Sequence, residues 1–181
     1  MLAYAQGEAS AFDALYARHK GPVYRYVLRH CGNAASADEL FQDVWINVVR
    51  ARASYAPSAK FTTWLYSVAR NRIVDHWRSN GQAAFVSLDD EDDDSRSRVE
   101  ALPGTRVDEP DVRAQSSEIG ARLTDALAGL PAAQREAFLL QQEGGLSLAE
   151  IARVTGAGEE TVKSRLRYAV AKLRAALEDH R

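Results

Sequence analysis

The sequence predicts an all-α protein made of two small helical domains joined by an acidic linker. Apolar residues recur every three or four positions along most of the chain, as in amphipathic helices, and no segment alternates as a β-strand does. Residues 81–118 interrupt this period with two prolines and a run of acids, a composition typical of an extended, self-repelling linker. The predicted domains are therefore residues 1–80 and 119–181, with residues 81–118 as the linker.

Composition and charge narrow the class of protein. No apolar run approaches the roughly 20 residues that a membrane span needs, and the N-terminus lacks the features of a signal peptide, so we expect a cytoplasmic protein without membrane insertion. The single cysteine, Cys31, excludes an internal disulfide framework, and the histidines have no metal-ligand spacing, so no metal and no other cofactor is expected. The net charge of −2 divides into +4, −7 and +1 over residues 1–80, 81–118 and 119–181. Both predicted domains therefore keep basic faces that can contact nucleic acid.

The first domain contains four predicted helices. The first lies near residues 8–19, and the second follows Pro22. The third begins with a capping box from Ser36 to Glu39, which also puts acids in the positive first turn. The fourth covers residues 61–78.

The segment KFTTWLYSVARNRIVDHWR, residues 60–78, combines aromatic rings with arginines and an amide. Exposed rings stack on unpaired bases, which contributes about 1–3 kcal/mol per base, while cations follow the phosphates. This composition favours binding of single-stranded nucleic acid. The alternative is that Trp64 and Trp77 belong to the hydrophobic core, as aromatic residues on helices commonly do.

The second domain ends in a predicted helix-turn-helix. Residues 148–154 form a short amphipathic helix, Gly156 suits a left-handed turn, and a second helix opens with Glu159 and Glu160 at its N-terminus. The outer face of that second helix is basic, so it can lie in a major groove. An ordinary helical hairpin with a solvated charged face is the alternative.

Two blocks of the sequence resemble conserved regions of bacterial RNA polymerase sigma factors. DELFQDVWINVVRARASY, together with FTTWLYSVARNRIVDHWR, resembles their second region, and LPAAQREAFLLQQEGGLSLAEIARVTGAGEETVKSRLRYAVAKLRAAL resembles their fourth. Possession of these two regions alone is similar to the extracytoplasmic-function (ECF) subfamily. The resemblance implies a subunit without catalysis of its own. Such a subunit binds core RNA polymerase, recognises the −10 and −35 promoter elements and promotes strand opening. It also implies promoter DNA and, in some members, an anti-sigma factor as partners.

The resemblance assigns roles to three groups of residues. Those that match the contact with the clamp helices of the largest polymerase subunit are Asp38, Glu39, Gln42 and Asp43. Those that match −10 recognition and melting are Lys60, Phe61, Trp64, Asn71, Arg72, Asp75 and Arg78. Those that match −35 recognition are Thr161, Lys163, Ser164, Arg165 and Arg167. Residues 54–61 match the loop that receives a flipped base.

Two other functions are weighed against this interpretation. A self-sufficient, dimeric helix-turn-helix regulator would account for the second domain and predicts palindromic operators, but it leaves the aromatic and basic helix without a role. An enzyme acting on nucleic acid needs a nucleophile and base, a metal cluster or a phosphate-binding glycine loop, and the sequence offers none of these. No catalytic residue is therefore predicted.

Overall fold

The computed structural model describes residues 1–79 and 113–178, and in these ranges the chain is helical with no strand. This confirms the predicted all-α fold. The α-helices are α1 (Leu2–Ala5), α2 (Ala9–Cys31), α3 (Ala34–Arg50), α4 (Phe61–Ser79), α5 (Arg113–Ala128), α6 (Ala132–Gln142), α7 (Leu148–Thr155) and α8 (Glu159–Glu178). A short 3-10 turn, Ala51–Ala53, follows α3.

Helices α2, α3 and α4 form the body of the first domain, with α1 against the start of α2. Their inward faces carry the buried side chains at the spacing that the sequence predicts, because one face of each amphipathic helix must leave water. Each fully buried aliphatic side chain contributes roughly 1.5–3 kcal/mol. The largest fully buried side chains in α2, α3 and α4, aliphatic and aromatic together, are Val23, Tyr26, Val27, Val44, Val48, Leu65, Tyr66 and Ile73.

The predicted break before Pro22 is wrong, since α2 runs through it as one helix of 23 residues. A proline inside a helix removes a hydrogen bond and costs about 3 kcal/mol. However, Val23, Tyr26 and Val27 follow it directly, and all three are fully buried. The free energy of their burial exceeds the cost of the proline, so the helix continues.

The predicted capping box at Ser36 is also wrong. Gly32 ends α2 in the left-handed conformation with φ of 72°, and Asn33 then caps α3 by accepting a hydrogen bond from the Ser36 backbone N–H at 2.8 Å. The helix therefore begins at Ala34, and Ser36, Asp38 and Glu39 lie inside it rather than at its cap. Asn33 was the better candidate because it follows a glycine that stops the preceding helix.

The second domain contains α5 to α8, and its helix-turn-helix matches the prediction. Ser147 and Glu150 form a capping box at the start of α7, and Gly156 ends that helix at φ of 76°. On α8 the inward residues Val162, Leu166, Ala169 and Leu173 are buried. Helix α5 begins at Arg113, within the range predicted as linker. The rest of that range, including the acidic run 89–94, lies outside the described residues.

The two domains pack against each other. Helix α4 of the first domain lies along α7 of the second, and α2 contacts α5. Buried residues of both domains belong to one continuous hydrophobic cluster. The sequence did not predict this closed arrangement.

Candidate nucleic-acid and protein interfaces

The first group of predicted site residues lies along one edge of α3. Asp38, Glu39 and Gln42 are exposed, and Asp43 is half-buried. A hydrogen bond to Asp38 is the main cause that raises the pKa of the Tyr24 hydroxyl. This acidic edge is held on a rigid helix and is accessible to a basic partner.

An apolar groove of about 640 Å³ runs beside that acidic edge. Two of its aliphatic side chains, Ile46 and Val49, are 37% and 45% exposed, although α3 buries its other large aliphatic residues. The groove is lined by Tyr16, Asp38, Phe41, Gln42, Trp45, Ile46, Val49 and Arg50. Apolar surface flanked by charge is typical of a protein interface. The sequence did not predict the groove, because Val49 has the spacing of a core residue and Ile46, which lies opposite the buried stripe of α3, gave no local sign of an interface.

The second group lies on α4 and the loop before it. Phe61 and Trp64 are half-buried, tilted against each other, and both meet Tyr55 edge-on, with the Tyr55 and Trp64 ring centroids 5.1 Å apart. Trp77 is buried at 6% exposure and contacts the ring of His30. The core interpretation therefore holds for Trp77, whereas Trp64 keeps an accessible edge within an aromatic cluster.

Four members of this second group share a face of α4. Trp64, Asn71, Asp75 and Arg78 recur at helical spacing, opposite the buried stripe, and the last three are exposed. Arg72 is half-buried and forms an ion pair with Asp75. Four of the predicted residues thus form a solvent-facing surface.

Lys60 is the member of the second group that contacts the other domain. Its Nζ lies 3.0 Å from a carboxylate oxygen of Glu150 on α7, and Thr63 Oγ1 donates to the same carboxylate at 3.2 Å. Hydrogen bonds from the Ser147 backbone and hydroxyl, followed by that from Lys60, lower the pKa of Glu150 to about 2. The carboxylate therefore stays charged under all physiological conditions.

The third group lies on α8. Thr161, Lys163 and Arg167 are exposed, and Ser164 and Arg165 are half-buried. Lys163 is 3.5 Å from Glu160, and the Arg167 guanidinium lies over the ring of Tyr168 at 4.9 Å. All five residues belong to one helix whose other face packs on α5, α6 and α7.

Tyr168 also belongs to this surface, although the sequence alone gave it no role. Its side chain is 50% exposed, which is unusual for an aromatic ring, and its hydroxyl accepts a hydrogen bond from Arg167 at 3.2 Å. Tyr168 precedes Ala169 of the buried stripe, so the helical period places its ring on the outer face of α8, and this period was the signal that the sequence offered.

Metal-binding groups and membrane-spanning helices were the remaining kinds of site to consider. Among residues 1–79 and 113–178, no group of three or more histidines, cysteines or acids is arranged to hold a metal ion. Over the same residues, no helix is both long and apolar enough to cross a membrane.

Comparison with known proteins assigns the two domains. The sequence model of "Sigma-70 region 2" matches residues 15–83, and that of "Sigma-70, region 4" matches residues 120–173. The ECF RNA polymerase sigma factor SigL of Mycobacterium tuberculosis is 34% identical over 97% of this chain and 93% of its own length. This chain belongs to the ECF family of RNA polymerase sigma factors.

Other sigma factors extend the comparison. CarQ of Myxococcus xanthus is 30% identical over 98% of this chain and 95% of its own length. The ECF sigma factor BldN of Streptomyces coelicolor is 32% identical, and this chain spans 62% of its length. The solved structure of CnrH in complex with the cytosolic domain of CnrY has a TM-score of 0.67 and 26% identity, covering 99% of this chain and 97% of that one.

The protein is thus an RNA polymerase sigma factor with region 2 in α2–α4 and region 4 in α5–α8. Its family acts with core RNA polymerase at promoter DNA, and no comparison supports a self-sufficient dimeric regulator. The region 2 residues lie on two different helices, and the five region 4 residues lie on one.

Proposed function

We propose that this ECF sigma factor uses three separate surfaces, one for polymerase and two for promoter DNA. The observation that supports this division is that each predicted group lies on one rigid helix or at its start, with members exposed to solvent. Sites on helices are held more precisely than sites on loops. The proposed domain limits remain residues 1–80, 81–118 and 119–181.

The α3 surface is the proposed polymerase contact. Asp38, Glu39, Gln42 and Asp43 supply charge and hydrogen bonds, which steer a basic helical partner and fix its orientation. The adjacent groove, with Ile46 and Val49, supplies the apolar area that gives such an interface its affinity. The clamp helices of the polymerase are the proposed partner.

The α4 surface is the proposed −10 site. The accessible edges of Phe61 and Trp64 offer a platform for a base taken out of the duplex, with Tyr55 supporting the rings. Stacking of about 1–3 kcal/mol then offsets part of the cost of unpairing. The other residues proposed to contact the −10 element are Lys60, Asn71, Arg72, Asp75 and Arg78.

The α8 surface is the proposed −35 site. Arg165 and Arg167 can donate two hydrogen bonds to a guanine edge, while Thr161, Lys163 and Ser164 suit phosphates. The stacking of Arg167 on Tyr168 restricts the guanidinium, which lowers the entropy lost when it binds.

Further parts of the proposal concern partners and location. The protein acts in the cytoplasm and carries out no catalysis of its own, because it directs the active site of the polymerase. CnrH, a solved relative of similar fold, was captured with the cytosolic domain of CnrY, so an anti-sigma polypeptide is a proposed partner here too. Such a partner would cover surfaces that polymerase or DNA needs.

Reconstituted transcription tests the proposal. Purified protein and core polymerase are incubated with genomic fragments, and factor-dependent start sites are mapped. The double variant Asp38→Ala/Glu39→Ala should weaken holoenzyme assembly, whereas Asp13→Ala, an exposed acid on α2, should not. A complete absence of factor-dependent start sites would refute the proposed function, and equal assembly by both variants would refute the α3 contact.

A further inference from the structure

Three glutamates of region 4 form hydrogen bonds and ion pairs across the contact with region 2. They are spaced seven residues apart, and each meets cations or donors of region 2. Glu136 accepts from Arg70 at 2.9 Å, and Glu143 accepts from Arg25 and Arg29, each at 2.9 Å. Glu150 meets Lys60 and Thr63 as described above.

Glu143 and Glu150 occupy sites that are suited to any oxyanion. The two arginines around Glu143 converge on one carboxylate from successive turns of α2. Lys60 and Thr63, at the positive N-terminus of α4, converge on Glu150 in the same manner. Arginine and lysine pairs with hydroxyl donors are also the usual ligands of nucleic-acid phosphates.

The seam between the regions is imperfectly paired, which suits a contact that must open. The hydroxyls of Tyr26 and Tyr66 are buried there without a hydrogen-bond partner among the described residues. Burial, followed by the charge of Glu143, raises the pKa of the Tyr66 hydroxyl, and the charge of Arg25 lowers it. Gly144 of region 4 lies so close to this residue that an added Cβ would be 3.2 Å from the Tyr66 ring. Unpaired buried hydroxyls weaken closure, because water satisfies them once the regions separate.

The closed arrangement cannot hold both promoter elements at once. Helix α7 packs directly on α4, and α8 packs on α7; since packed helices lie about 8–10 Å apart, no more than about 20 Å separates α4 from α8. The −10 and −35 elements are centred roughly 25 base pairs apart, or about 85 Å at 3.4 Å per base pair. Region 4 must therefore leave region 2 before both can be bound.

We propose that region 4 is held on region 2 by an electrostatic latch, in which the carboxylates of Glu143 and Glu150 occupy phosphate-binding sites that the backbone of promoter DNA takes when the protein opens. The Arg25–Arg29 pair and the Lys60–Thr63 pair are the two phosphate sites. In the closed molecule Glu136 is buried against Arg70 and adds a third ion pair to the contact. The identity of the phosphates, as those of promoter DNA, rests on the proposed −10 role of α4. The latch itself depends on the free protein alone.

The test uses the double variant Glu143→Gln/Glu150→Gln. Glutamine keeps the size of both side chains and preserves the capping box with Ser147, because glutamine serves at that position as glutamate does. The matched control is Asp13→Asn/Asp125→Asn, which changes the net charge equally at two exposed positions. Dyes placed by Ala35→Cys and Ala171→Cys in a Cys31→Ser background report the distance between the regions by energy transfer.

The latch variant should raise the ratio of open to closed protein roughly tenfold at low salt, and the control should leave it unchanged. Affinity of the undyed protein for an oligothymidylate, which supplies phosphates without promoter sequence, should rise by about the same factor. Tyr66→Phe should act in the opposite direction, because it removes a buried hydroxyl without a partner.

Three results would overturn the latch. The wild type could be open in solution at low salt, the variant could open no more than the control, or it could open without any gain in oligothymidylate affinity. A failure of reconstituted transcription would contradict the proposed function, but it would leave these distance measurements standing. The two proposals are therefore tested separately.

Discussion

His30 makes the stability of region 2 depend on pH. The residue is 8% exposed, between the rings of Tyr26 and Trp77, with centroid distances of 4.5 and 5.9 Å. Its Nδ1 lies 2.8 Å from the Tyr26 carbonyl and must donate to it, so Nε2 carries no proton in the neutral ring. Nε2 is buried and has no partner among the described residues. Burial, with Arg135 and Arg70 nearby, lowers the pKa of His30 to about 3.

The size of the effect follows from proton linkage. The unfolded chain binds a proton on His30 near pH 6.5 and the folded chain only near pH 3, so stability is complete above 6.5 and falls as the pH drops toward 3. Between pH 7.5 and 4.5 the two states differ in protonation over about two pH units, which lowers the free energy of unfolding by roughly 3 kcal/mol. That is a large fraction of the stability of a small domain.

Denaturant unfolding at a series of pH values measures this loss. The three tryptophans all lie in region 2, so their fluorescence follows its unfolding. His30→Phe keeps the ring packing but cannot titrate, and it loses about 1 kcal/mol for the missing hydrogen bond at neutral pH. Other titrating groups are the same in both proteins. The free energy of unfolding of the wild type, relative to that of the variant, should therefore fall by roughly 3 kcal/mol from pH 7.5 to 4.5. Parallel pH profiles would refute the reasoning.

Three further predictions concern single side chains of the other surfaces. Trp64→Ala should leave closed-complex formation intact but reduce strand opening, measured as permanganate reactivity of the −10 thymines, and a premelted template should restore transcription. Normal strand opening by the variant would show that Trp64 has only a structural role. Lys163→Ala should flatten the salt dependence of −35 duplex binding by about one unit of slope, since one phosphate contact is lost, while Lys20→Ala on α2 should not change it. Ser147→Ala should raise the pKa of Glu150 from about 2 only part of the way toward its ordinary value, because the hydroxyl hydrogen bond is lost while the backbone N–H of residue 147, the larger cause, still donates; an unchanged carboxyl titration by NMR would contradict this.

Local signals in the sequence predicted most of the helices. Gly156 and the apolar stripe of α8 identified the helix-turn-helix, because a left-handed turn and a 3.6-residue period depend on neighbouring residues only. The same local reasoning failed at Pro22, where buried neighbours outweigh the cost of the proline. It also failed at Ser36, where Gly32 ends the previous helix early enough for Asn33 to cap α3.

The closed arrangement could not be predicted in this way. Arg25 and Glu143 are 118 positions apart, and nothing in either local sequence marks them as partners. Tyr66 is 1% exposed, and region 4 covers the side of α4 on which it lies. Helical period identifies which residues share a face, but it does not say whether a second domain packs on that face.

The exposure of the α8 surface in the closed molecule has a consequence for the order of events at a promoter. Thr161, Lys163 and Arg167 are accessible while α4 is still paired with α7. With α8 as the proposed −35 site, a closed molecule can therefore sample duplex DNA while Arg25, Arg29, Lys60 and Thr63 are still paired with region 4. Under the proposed latch, upstream contact would raise the local concentration of phosphates near Arg25 and Lys60, and a correct −35 match would precede both the opening of the closed molecule and promoter melting.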